Sequence, residues 1–107
     1  MGYRYKFTPL AASDLDETIN YISGKLMNPR AANRLFRSVL KELDSVCDSP
    51  FAYPDCSYYL IDDKMIRHAI IGNYVLIFEV AEPEKLIKIL RFLYGGMDIS
   101  NMPIRER

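Results

Sequence analysis

The sequence predicts an α+β domain. A two-helix hairpin packs on one face of a four-stranded antiparallel sheet, in the chain order β-α-α-β-β-β. Three observations carry this prediction. A short alternating strand opens the chain. Two segments of helical periodicity follow, each begun by a polar residue and a proline. Long apolar runs separated by turn signals then fill the last third, Lys64 to Asp98. The chain has 107 residues, which fits one domain spanning 1–107. At this size a fold buries roughly two thirds of the surface its unfolded chain exposes, so one core suffices without staples.

The opening strand is Tyr3 to Phe7, where Tyr3, Tyr5 and Phe7 alternate with Arg4 and Lys6. Such alternation marks a strand with one face buried. Thr8-Pro9 comes next, a capping hydroxyl and then proline at the first helical position. The first helix is expected to run to about Leu26, with Ala11, Leu15, Ile19, Ile22 and Leu26 on one face. Asp14, Asp16 and Glu17 lie in its N-terminal half, where the helix dipole favours acids.

Asn28-Pro29 repeats the cap-and-proline device, and the second helix is expected to run to about Val46. Its stripe is Ala32, Leu35, Phe36, Val39, Leu43 and Val46; Arg30, Arg34, Arg37 and Lys41 line the other side. That basic row reads as a solvated helix face, or as a strip that meets nucleic acid or an acidic partner. The short Met27-Asn28 joint makes the helices an antiparallel hairpin.

Asp48-Ser49-Pro50 ends the second helix. The segment FAYPDCSYYLID is irregular, because Pro50 and Pro54 break any regular element. Phe51, Tyr53, Tyr58 and Tyr59 are expected to lie across the core edge, with base stacking as the alternative use of the tyrosines. The last strands follow, turned at Gly72-Asn73 and at Glu82-Pro83-Glu84. Ser100 to Arg107 loses periodicity and reads as a short helix or a loose tail. With both helices on one face, the other face of the sheet is expected to be open or covered by a partner.

Composition removes several function classes. Lys plus Arg and Asp plus Glu number 14 each, so binding of nucleic acid through overall charge is not expected. One histidine and two cysteines, Cys47 and Cys56, show no metal-ligand spacing, so neither a metal site nor a disulfide is expected. No apolar run approaches the roughly 20 residues that span a bilayer. A cytoplasmic protein without cofactor, metal or membrane contact is the expectation.

Four polar side chains interrupt the apolar strands: Arg67, His68, Arg91 and Tyr94. A charge in such a run is costly unless it is paired or faces a groove. Arg67 alternates with Met65, Ala69 and Ile71, and Arg91 with Ile87, Ile89 and Leu93, so both arginines are placed at the edge of one groove. Two guanidinium forks there would hold a phosphate or carboxylate bidentately. The alternative is that each pairs with a nearby acid such as Glu79, Asp62 or Asp63. His68 reads as half-buried and hydrogen-bonded, with general acid–base work as the alternative. Tyr94 reads as packing, as a hydrogen-bond donor to phosphate, or as a proton donor.

These segments together resemble the RelE/ParE superfamily of type II toxin–antitoxin toxins, the plasmid stabilisation group. The resemblance runs through TPLAASDLDETINYI, NPRAANRLFRSV, SPFAYP, IRHAIIGNYVLIFEV and ILRFLYGGMDI, nearly the whole chain. It implies a toxin held inactive by a cognate antitoxin, whose acidic, amphipathic segment covers the helix hairpin and the sheet face. Operator DNA would be reached only through the antitoxin. The first mechanistic expectation is ribosome-dependent, metal-independent mRNA cleavage. By family position, Arg67 and Arg91 would stabilise charge on the phosphate, while Tyr94 moves a proton. His68 and Lys64 are secondary candidates, with Asp62 and Asp63 as weaker carboxylate bases. The alternatives are a ParE-like inhibitor of DNA gyrase without nuclease activity, and a degenerate toxin that only binds its antitoxin. Gly96-Met97 stands before Asp98 where many relatives carry Arg-Arg or Ala-Arg.

Overall fold

The computed structural model describes residues 2–55 and 65–96. The expectations for Cys56, Tyr58, Tyr59, Asp62, Asp63, Lys64, Met97, Asp98 and the tail 100–107 fall outside those residues. In chain order the elements are β1 (Arg4–Phe7), α1 (Pro9–Asn20), a π-helical turn (Tyr21–Lys25), α2 (Pro29–Asp48), a 3₁₀ turn (Pro50–Ala52), β2 (Ile66–Ile71), β3 (Tyr74–Ala81) and β4 (Leu86–Tyr94).

Both caps form as the sequence implies. Thr8 Oγ1 accepts from the Ala11 amide (3.2 Å), and the Asn28 side chain accepts from the Ala31 amide (3.1 Å). No acid occupies the first turn of α1, so the dipole is not what holds Asp14 in place. Instead of ending as a plain α-helix near Leu26, the helix widens to a π turn over Tyr21–Lys25, where Leu26 N donates to Tyr21 O (3.0 Å). Ser23-Gly24 lies inside this turn, and poor helix formers yield most readily to such a bulge. Met27 then takes φ 50° at the hairpin tip.

The sheet order is β1-β4-β3-β2. The strands β2, β3 and β4 form an antiparallel meander, but β1 lies parallel to β4, with Arg4 opposite Leu86 and Phe7 opposite Ile89. The sheet is therefore mixed, not wholly antiparallel. The helical hairpin between β1 and β2 is long enough to return the chain to the far edge, and long crossovers permit parallel pairing. Gly72 (φ 59°) opens the two-residue hairpin loop, the place where a type II′ turn puts glycine.

Val39, Leu43 and Val46 of α2 and Ala11 and Leu15 of α1 pack on Ala69, Ile71, Leu76, Phe78, Ile87, Ile89 and Phe92. Fully burying each large apolar side chain stabilises the fold by about 1.5–3 kcal/mol. The opposite face of the sheet is buried along much of its length: Ile66, Val75, Ile77, Leu90 and Leu93 are all buried, while Ile70 on β2 stays exposed. Strands that are apolar on both faces, such as YVLIFEVA, are the mark of a sheet buried on both sides. Among the described residues no helix is long and apolar enough to cross a membrane.

Candidate functional site

Arg91 owes its position to two irregularities. The first is a bulge in β4: Phe78 pairs with Ile89 and Ile77 with Arg91, leaving Leu90 as the extra residue. The bulge reverses the alternation of β4, so that Phe92 rejoins the helix-facing core and Arg91 stands across from Ile77. The second is a free edge. β1 stops at Phe7, so among the described residues β4 has no neighbouring strand on that side beyond Ile89. There α1 crosses in place of a strand. Thr8 donates from its backbone N and its hydroxyl to Ile89 O (3.0 Å each), and Asp14 accepts from the Phe92 amide (3.0 Å).

Asp14 also takes the fork of Arg91. Nε donates to Oδ2 (2.7 Å) and Nη2 to Oδ1 (2.9 Å), with the side chains only 8% and 9% exposed. One carboxylate thus closes the strand edge and neutralises a buried guanidinium. A planar bidentate pair of this kind is the strongest geometry an arginine and a carboxylate can adopt. The sequence offered Glu79, Asp62 or Asp63 as partners; Asp62 and Asp63 lie outside the described residues, and the acid the structure gives is Asp14, 77 positions away on α1.

Arg67 lies elsewhere. It stands across from Phe78 and shares that residue's helix-facing side, with β3 between it and β4. The two arginines therefore do not edge one groove, because the Leu90 bulge puts them on different sides of the sheet. Arg67 Nη1 donates to Tyr53 O, Nη2 lies 3.6 Å from the exposed Asp55 carboxylate, and the guanidinium sits over the Phe51 ring (4.9 Å). Among the described residues, the buried Arg67 Nε finds no acceptor. His68 binds the same segment, its backbone N donating to Pro54 O (3.1 Å) and its Nδ1 lying 3.0 Å from Asp55 O. Tyr94, at the end of β4, is half exposed and meets Tyr74 edge to face (5.8 Å). Lys64 is outside the described residues.

Three residues have partners here that the sequence reading did not give. Asp14 is one; the signal was an acid three residues after Ala11, on the apolar side of its helix. Tyr53 is another. Its hydroxyl donates to the Glu42 carboxylate beside Ser45 Oγ (2.7 Å), and its ring packs edge to face on Phe78 (5.8 Å). Burial, and then the Glu42 hydrogen bond, push this hydroxyl's pKa above 10.0. The third is Tyr74, stacked on buried Phe92 (5.2 Å, 12°), its hydroxyl also pushed up, first by burial and then by Tyr94 and Tyr21. Cys47 is a free, half-buried thiol, raised chiefly by burial. Among the described residues no three His, Cys, Asp or Glu side chains come together as metal ligands.

Comparison with known proteins agrees with this architecture. Among solved structures, one chain titled "Chromosomal ParDE TA system from P. aeruginosa" superposes with a TM-score of 0.66 at 19% identity, over 86% of this chain and 95% of that one. At that identity the likeness concerns the fold. A search of curated proteins found no match. The family model described as "ParE toxin of type II toxin-antitoxin system, parDE" matches residues 5–99. That match spans the opening strand, the capped helix hairpin and the three-stranded meander, and the protein belongs to the ParE toxin family of type II toxin–antitoxin systems.

Proposed function

We propose that this chain is a toxin that acts by binding DNA gyrase and does not cleave mRNA. The observation behind this reading is the state of Arg91. An RNase role asks its fork to meet a phosphate, yet Nε and Nη2 both donate to Asp14 in a buried pair. Withdrawing a partner from such a pair costs about 3–5 kcal/mol, which is a poor starting point for catalysis. Arg67 adds to the argument, since it is tied to Tyr53 and Asp55 on the other side of the sheet.

The partner in this reading is a cognate antitoxin with an acidic, amphipathic segment. A groove of about 340 Å³ between β1, α1 and α2 suits its apolar side, with Tyr5, Phe36 and Leu40 exposed along it. The row Arg30, Arg34, Arg37 and Lys41 is exposed on the neighbouring face of α2 and suits its acids.

The test pairs two assays on purified protein. In a reconstituted translation system, primer extension is expected to show intact A-site codons; in a supercoiling assay, gyrase is expected to be inhibited. Cleaved codons alongside an untouched gyrase would reverse the assignment.

A further inference from the structure

Beside the Arg91–Asp14 pair, a groove of about 760 Å³ opens between the C-terminal half of α1 and the end of β4. Three tyrosine rings line it. Tyr21 and Tyr94 are 52% and 49% exposed, and Tyr74 is half-buried between them. The rings of Tyr74 and Tyr94 stand at 71° with centroids 5.8 Å apart, so they form a corner. Tyr74 is stacked on buried Phe92, and Tyr94 lies against Gly96, where an added Cβ would come within 2.6 Å of the ring.

Among the described residues, the ionised side chains of the groove wall are Asp14, Arg91 and Glu17. Asp14 and Arg91 neutralise each other, which leaves the exposed Glu17 carboxylate as the net charge. Among the described residues no cation pairs with Glu17. An anion would meet Glu17 and an arginine already engaged. An uncharged apolar group would leave the carboxylate at its rim unanswered. A guanidinium, planar and weakly hydrated, stacks on aromatic faces while its edge bonds a carboxylate.

We propose that Tyr21, Tyr74, Tyr94 and Glu17 form a cage for an arginine side chain presented by a partner polypeptide. Occupancy is independent of whether the toxin's target is gyrase or the ribosome, because it depends only on the walls of the groove.

The experiment is a ¹H–¹⁵N titration of the full chain with acetyl-Gly-Arg-Gly amide, at concentrations up to about 10 mM. The expected result is a saturating shift confined to Glu17, Tyr21, Tyr74, Tyr94 and their neighbours. The citrulline peptide, which keeps the shape and loses the charge, is expected to bind at least about fivefold more weakly. Tyr94→Leu and Glu17→Gln are each expected to weaken arginine binding about fivefold or more, and Gly96→Ala to weaken it with the ring still present. Retained spectral dispersion shows that each variant is folded. Equal binding of the citrulline peptide, shifts that fall outside the groove, no shift at all, or the same shifts with inorganic phosphate would each overturn the assignment.

Discussion

Removing either partner of the Arg91–Asp14 pair is expected to destabilise the fold far more than a surface change would. The magnitude follows from the geometry. Asp14 accepts three bonds, from Arg91 Nε, Arg91 Nη2 and the Phe92 amide. Asp14→Ala strands a buried guanidinium, which costs about 3–5 kcal/mol, and orphans an amide, which adds about 1–3 kcal/mol. Arg91→Met strands only the carboxylate, so it belongs at about 3–5 kcal/mol. Against a total stability of about 5–15 kcal/mol, either loss is severe. With a urea m-value of about 1.5 kcal/mol/M, the Arg91→Met midpoint falls by about 2–3 M. The double variant Asp14→Leu with Arg91→Met removes both charges and leaves mainly the orphaned amide, a cost of about 1–3 kcal/mol. The two sites are then coupled by at least about 3 kcal/mol in a double-mutant cycle. Urea unfolding of the four proteins measures this directly. Single variants that each cost under about 1 kcal/mol, or a double variant that costs the sum of the singles, would refute the reasoning.

Other consequences are simpler to read. Tyr53 has a raised folded-state pKa, so above its ordinary value of 10.0 the folded chain holds more protons than the unfolded one. Its contribution is complete below pH 10.0 and fades as pH rises through the folded value; Tyr53→Phe is expected to flatten this alkaline decline in urea midpoints. Thr8→Ala removes a cap that also bonds Ile89 O, so it is expected to cost about 2 kcal/mol, against about 1 kcal/mol for Asn28→Ala. Equal losses would show that the bond to β4 contributes nothing. Leu43→Ala opens a cavity at a fully buried position and is expected to cost about 2–5 kcal/mol by thermal or urea unfolding.

The parts of the fold that were legible in the sequence are those set by local chemistry. Thr8-Pro9 and Asn28-Pro29 start helices because a side-chain oxygen and a preset φ act within one turn. Gly72-Asn73 closes a hairpin because glycine admits the positive φ that the loop requires. What was not legible depends on contacts distant in sequence. The parallel pairing of β1 with β4 follows from where the helix hairpin returns the chain, and no residue of Arg4–Phe7 states it. A bulge at Leu90 cannot be seen in ILRFLY, yet it separates Arg91 from Arg67. The acid that engages Arg91 was visible only as a misfit, an aspartate on the apolar side of α1. The buried second face was within reach, because an alternating strand would not have read YVLIFEVA.

The central claim is that Arg91 holds the fold together and that toxicity comes from binding. The most direct test is gyrase supercoiling in the presence of the Asp14→Leu, Arg91→Met double variant, first shown by its spectrum to be folded. Neither residue does chemistry in this account, so the folded double variant is expected to inhibit gyrase as the unaltered chain does. A chain that inhibits gyrase only while Arg91 is present, or one that cuts A-site codons and loses that activity with Arg91, would contradict it.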